Sequence, residues 1–211
     1  AFYSPTIVEF DNIIVRSLDP TVLNVTSLSQ NDELWGDSEY DNASSWVAQG
    51  TPITFDRWAC KLIAEVMLLH FHGFTTLPDG SDLTPLSYNE WLTDTSNYNR
   101  GQILTNSVSK LTNLFKTINQ ESPRIEQKTV NTSPTGDLRD QVITELESGN
   151  PVVLKLHKQG TGDHFVLATG VVSNESKDIY INDPEELHPT LSSYTADEFE
   201  LTSIRMYTPS Y

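Results

Sequence analysis

Apolar residues recur at three- and four-residue steps between Thr54 and Gly73. Ala59, Leu62, Ile63, Val66, Met67 and Leu69 or His70 make one continuous face, which predicts a buried helix. Thr54 or Asp56 stands where an N-cap belongs, and Gly73 is a residue type that ends helices in the left-handed conformation. The same period predicts a second amphipathic helix over Ile103–Ile118, with Leu104, Val108, Leu111, Phe115 and Ile118 on one side, and Tyr88–Leu92 reads as a short helix carrying Trp91. Asn119–Gly136 is polar and reads as irregular apart from a strand near Ile125. Leu138–Glu147 then reads as a helix ended by Gly149 and Asn150. Three strands follow, over 151–156, 163–172 and 178–184, the last stopped by Pro184. Short turns between such strands imply antiparallel pairing, and helices followed by a sheet make an α+β pattern. Upstream, Ile13-Ile14-Val15 and Val22–Val25 are short β-type runs around the Asp19-Pro20 turn signal. The chain thus divides into an arm of strands over 1–27 and a domain over 28–211.

Composition narrows the function. A chain of 211 residues is long enough to bury a core without staples, and a single cysteine excludes a disulfide framework or a cysteine-rich zinc site. The formal net charge of −16 argues against nucleic acid or anionic membrane as a partner and favours neutral or basic substrates. It better suits a solubilising surface on an extracellular, cell-surface or virion-associated protein. No apolar run reaches membrane-spanning length, and Ala1 reads as the start of a mature chain or of an excised domain. No phosphate-cradling glycine loop, Gly-x-Ser-x-Gly elbow or cofactor motif is present, so no cofactor is expected. Asp79 and Asp82 lack the spacing of a calcium loop. His70 and His72 stand two apart, the wrong step for a metal pair on one helix face; they read as helix C-terminal residues. His157 and His188 have no partner visible in the sequence. Trp35, Trp46, Trp58 and Trp91 suit either a cleft lining or packing.

The remaining chemistry centres on Cys60. A thiol in the first turn of a helix feels the positive end of the helix dipole, which favours thiolate. A cysteine nucleophile also needs a base and a group that holds the base. His164 opens a strand that is otherwise apolar or small. Asp183 ends the return strand at the same end of the sheet, within reach of the imidazole. Taken singly, a lone strand histidine is commonly structural and an aspartate before proline is a turn residue. Taken together, Cys, then His, then Asp is the papain-type order.

Seven blocks carry a family resemblance. They are Ser29-Gln30-Asn31-Asp32-x-x-Trp35-Gly36, Ile53-Thr54-x-x-x-x-Ala59-Cys60, Val66-Met67-Leu68 and Thr84-Pro85-Leu86-x-x-Asn89-x-Trp91-Leu92, then Leu146-x-x-Gly149-Asn150-Pro151-Val152-Val153-Leu154, His164-Phe165-Val166-x-Ala168-x-Gly170 and Ile181-Asn182-Asp183-Pro184. In series they resemble the peptidase domain of bacteriocin-processing cysteine peptidases, and more closely their stand-alone bacterial and phage relatives. The resemblance covers about 28–194. It implies a papain-like fold in which an N-terminal helical part, with the cysteine helix, packs on a C-terminal antiparallel sheet. It also implies a thiol peptidase acting on a peptide or isopeptide bond through an acyl-enzyme. Cys60 would be the nucleophile, His164 the base and Asp183 the group that orients it, with Asn182 a weaker candidate for that role. Gln30 would donate to the oxyanion. Family members usually have glycine before the cysteine and small or hydroxyl residues after it, whereas Ala59 and Lys61 flank Cys60 here; Lys61 would help stabilise a thiolate. Transporter segments and a Gly-Gly pair are absent from the sequence, so leader cleavage coupled to export is not expected. The expected partner is a peptide or protein substrate, with a larger chain or assembly left open. The altered flanks keep a second reading in view, a non-catalytic binding or structural module on the same fold.

Overall fold

In the computed structural model, which describes residues 9–10, 13–14, 22–48, 52–131, 137–173 and 175–210, the periodic stretch forms two helices. These are α1 (Phe55–Trp58) and α2 (Cys60–Phe71). Ala59 is the cap shared by the two, its N–H donating to Phe55 O at 3.0 Å and its carbonyl accepting from Ile63 N–H at 2.8 Å. Thr54 occupies the N-cap position, yet its hydroxyl bonds the Asp56 carboxylate and caps no amide. The far end of α2 is a Schellman turn: Gly73 N–H donates to His70 O and Phe74 N–H to Leu69 O, both at 3.0 Å. Gly73 has φ +84°, and a Cβ there would meet no atom within 4 Å. Gly73→Ala is therefore expected to lose about 1 kcal/mol of stability through backbone strain alone, read as a lowered urea midpoint; an unchanged midpoint would contradict it.

The single apolar face expected for α2 is too narrow a description, since every residue from Lys61 to Leu69 is buried. A central helix has neighbours on all sides, and its two charged residues are accommodated by pairing. Lys61 Nζ donates to Ile103 O at 2.7 Å and lies 3.6 Å from Glu65 Oε1. Glu65 Oε2 accepts from Tyr88 Oη at 2.9 Å and Ser107 Oγ at 3.2 Å. Burial lowers the Lys61 pKa, the Glu65 charge opposing it. Lys61 is thus committed to the core.

Helix α3 (Pro85–Asp94) is longer than the short helix expected there and starts at a capping box of Thr84 and Ser87. Two small antiparallel hairpins stand outside the main sheet: β1 (Glu9–Phe10) with β2 (Ile13–Ile14), and, between α3 and the next helix, β3 (Tyr98–Asn99) with β4 (Gln102–Ile103). The second hairpin corrects the expected start of the next helix. Ile103 pairs with Tyr98 across the hairpin, so α4 spans Ser107–Ile118.

The sheet is built from β5 (Arg124–Asn131), β6 (Val152–Lys158), β7 (Gly162–Ser173), β8 (Asp178–Asn182) and β9 (Glu200–Ser210). Their order is β5-β9-β6-β7-β8, antiparallel throughout. Helix α5 (Leu138–Glu147) precedes β6, and α6 (Leu191–Ala196) lies between β8 and β9. Both faces of the sheet are covered. Val153, Leu167 and Tyr207 join the core around α2, while Val152, Leu154, Val166 and Ala168 pack with Leu138, Val142 and Leu146 of α5 and with Leu191 and Tyr194 of α6. Burial on two faces is why the central strands read as unbroken apolar runs.

Two strands depart from the expected pattern. β5 runs for eight residues where only a strand near Ile125 was expected, because an edge strand buries little beyond Ile125 itself. β9 was not expected at all. The 22–25 run forms no strand either: Val22 makes one bridge to Gly170, and Leu23 N–H donates to Thr169 O at 2.7 Å. The Asp19-Pro20 turn, Val15 and Gly136 lie outside the described residues.

Candidate active site

β8 ends at Asn182, opposite Leu167, and Pro184 cannot extend the ladder. The chain therefore turns away beside the N-terminal end of β7, where His164 stands. In that turn the Asp183 carboxylate is fixed by several donors. Oδ1 lies 2.8 Å from His164 Nε2 and accepts from Glu185 N–H at 3.0 Å. Oδ2 accepts from Leu187 N–H at 2.9 Å, His188 N–H at 3.1 Å and Tyr194 Oη at 2.7 Å. Asp183 and His164 are 4 % and 6 % exposed, so this is a dry charge pair with its lone pairs satisfied.

The electrostatics follow from that arrangement. Burial favours neutral His164, but hydrogen bonds to Asp183 and Cys60, and the charges of both, outweigh it and raise the His164 pKa from 6.5 to about 10. Burial likewise opposes the Asp183 charge, yet bonding to His164 and Tyr194 holds its pKa at about 2, below the usual 3.8. Burial and then the Asp183 carboxylate keep Tyr194 protonated as the donor.

Cys60 is the first residue of α2 and is half-buried. Since Nε2 of His164 is held by Asp183, Nδ1 is the nitrogen left to serve the thiol. The backbone N–H of Cys60 belongs to the first turn, whose amides have no intrahelical acceptor. Gln30 reaches the site through the 183–185 turn: its N–H donates to Pro184 O at 2.8 Å, and Ser29 Oγ donates to the same carbonyl at 3.3 Å. The Gln30 side chain is 1 % exposed. Its Nε2 donates to Asp56 O in α1 at 2.5 Å and to Glu185 Oε1 at 3.4 Å. The fold therefore brings Gln30, Cys60, His164 and Asp183 to one place.

Other candidates go elsewhere. Asn182 Nδ2 donates to Val25 O at 3.2 Å, so it ties down the 22–25 segment and does not orient His164. His157 and His188, for which the sequence offered no partner, pair with Asp163 at 2.8 Å and Asp197 at 2.9 Å. His70 Nε2 meets Leu83 O at 2.8 Å, and burial lowers the His72 pKa. Asp79 accepts from Ser81 in a local turn, and among the described residues no acidic, histidine or cysteine cluster could hold a metal. Trp35 is buried, with Nε1 donating to Ser29 O at 2.7 Å, Trp91 stacks on Tyr88, and Trp58, two residues before Cys60, is exposed. Sequence reasoning missed Tyr194 and Glu185. Nothing in the sequence marks Tyr194, whereas Glu185 was within view as a second acid two residues past Asp183.

A cysteine helix packed on an antiparallel sheet, with a histidine and an aspartate presented from the sheet's end, defines the papain-like class of α+β peptidase fold. The chain belongs to the Peptidase_C39 like family, whose sequence profile matches residues 22–208. Among curated proteins none matches this sequence.

Proposed function

We propose that the protein is a thiol-dependent peptidase that cleaves a peptide or isopeptide bond through an acyl-enzyme on Cys60, as a stand-alone enzyme of bacterial or phage type. The observation that carries this reading is the buried His164, held at 2.8 Å by Asp183, with the Cys60 thiol among the groups that raise its pKa. The Cys60 sulfur attacks the substrate carbonyl carbon while His164 holds the thiol proton. Charge develops on the carbonyl oxygen, for which Gln30 Nε2 and the Cys60 N–H are the donors. His164 passes its proton to the leaving amine as the C–N bond breaks, leaving a thioester. Water then gives a proton to His164, attacks the thioester carbon and releases the acid and Cys60. The net charge of −16 suits a neutral or basic protein substrate and an extracellular, cell-surface or virion setting.

The test is alkylation by iodoacetamide. Cys60 is expected to react at about pH 5, where free thiols of ordinary acidity are almost wholly protonated. His164→Ala should abolish that reaction while leaving reactivity at strongly alkaline pH. A Cys60 inert until alkaline pH in the native protein would point to the binding-module reading.

A further inference from the structure

The turn that carries Asp183 carries a second acid for which the peptidase chemistry has no use. Glu185 Oε1 lies 3.4 Å from Gln30 Nε2 and 3.9 Å from His164 Nδ1. Its carboxylate thus faces both the donor assigned to the oxyanion and the nitrogen assigned to the thiol. The backbone is fixed, since Glu185 N–H is bonded to Asp183. The side chain is 38 % exposed, and among the described residues its only ion pair is the long one to His164. The nearby Asp56 carboxylate is engaged by Thr54. Glu185 is therefore the acid at the mouth of the site that retains acceptor capacity for an incoming group.

Its position has a chemical consequence. A carboxylate next to Gln30 Nε2 competes with the substrate oxyanion for that donor, so Glu185 must swing outward before the carbonyl can be polarised. Once outward, its charge sits beside the scissile bond. We propose that Glu185 is the specificity-determining residue of this site, and that it selects a substrate with a cationic group, a lysine or arginine side chain or an amine, on the residue flanking the cleaved bond. This rests on the reading of Cys60 as the nucleophile. A cation exchanges with Gln30 as the partner of Glu185 and so frees the oxyanion donor as the substrate is seated. A neutral group leaves the carboxylate on Gln30, and an anionic group is repelled by it.

Because Cys60 is the only cysteine of the chain, thiol reagents report on this site alone. Labelling rates are compared for three methanethiosulfonates whose transferred groups are aminoethylthio, methylthio and sulfonatoethylthio. In each, the Cys60 sulfur forms a disulfide to the transferred group and methanesulfinate leaves. The ratio of the cationic to the anionic rate is expected to fall about tenfold in Glu185→Gln, the effect of removing one charge a few ångströms away in a partly wet cleft. Glu147→Gln, which removes the same charge from an exposed position on α5, should leave the ratio unchanged. On a peptide mixture, cuts by the native protein should be enriched in lysine or arginine beside the scissile bond, and that enrichment should vanish in Glu185→Gln. An unchanged ratio in Glu185→Gln, equal falls in both variants, or cuts without basic enrichment would each overturn the proposal while leaving Cys60 as nucleophile. A native Cys60 that no reagent labels at mildly acidic pH would instead overturn the peptidase reading, and this inference with it.

Discussion

Cys60→Ala is expected to reduce peptide hydrolysis by about 10,000-fold or more, with no loss of folding. On the proposed mechanism no thioester can form without the sulfur, which leaves His164 and Gln30 no bound intermediate to serve. Cys60 is half-buried at the start of α2, so losing one sulfur atom removes little packing from the core. Gln30→Ala should be milder, about 100- to 1,000-fold, because on that mechanism it removes one oxyanion donor and leaves the nucleophile and base in place. Both are read from the initial rate of peptide release, measured by mass spectrometry on a peptide mixture, with circular dichroism to check the fold. Equal rates for native protein and Cys60→Ala would refute the assignment of the nucleophile.

Asp183→Ala is expected to be the most destabilising single change at the site, costing about 3–5 kcal/mol. It strands the hydroxyl of Tyr194, the amides of Glu185, Leu187 and His188, and the Nε2 of His164, all of which the carboxylate satisfies. Stability should also follow the titration of the pair. Asp183 is held at about 2 from 3.8, so its contribution is complete above pH 3.8 and is lost as pH falls through about 2. His164 is raised from 6.5 to about 10, so its contribution is complete below pH 6.5 and is lost as pH rises through about 10. Urea midpoints should therefore be highest between pH 3.8 and 6.5 as far as this pair is concerned. Asp183→Ala should flatten both limbs of that profile relative to the native protein. A variant that keeps the native profile would show that the carboxylate is not part of the folding unit.

Much of the site was legible because three of its residues sit in strongly patterned elements. The period of α2 placed Cys60 at a helix start, and the apolar runs of β7 and β8 placed His164 and Asp183 at one end of a sheet. Gln30 had no such signal. It reaches the site through a backbone bond to Pro184, a contact between residues 154 positions apart (184 minus 30), and only the family resemblance pointed to it. β9 was invisible for a different reason. Thr202, Ser203, Arg205 and Thr208 interrupt its apolar residues, so it presents no continuous hydrophobic run even though it lies inside the sheet. The network of Lys61 and Glu65 was equally hidden, because charged residues on a helix are ordinarily read as its solvent face.

The place of β9 in the sheet sets the order in which this protein can mature. It lies between β5 and β6, so it alone joins the strand following α4 to the three strands that carry His164 and lead to Asp183. All four residues assigned to the chemistry are synthesised before residue 200, where β9 begins. A nascent chain that already contains them still lacks the strand that closes the sheet, and its pairing with β5 spans the longest loops within that sheet. Closure of the sheet around the site should therefore come in one step, and only after residues 200–210 have been made.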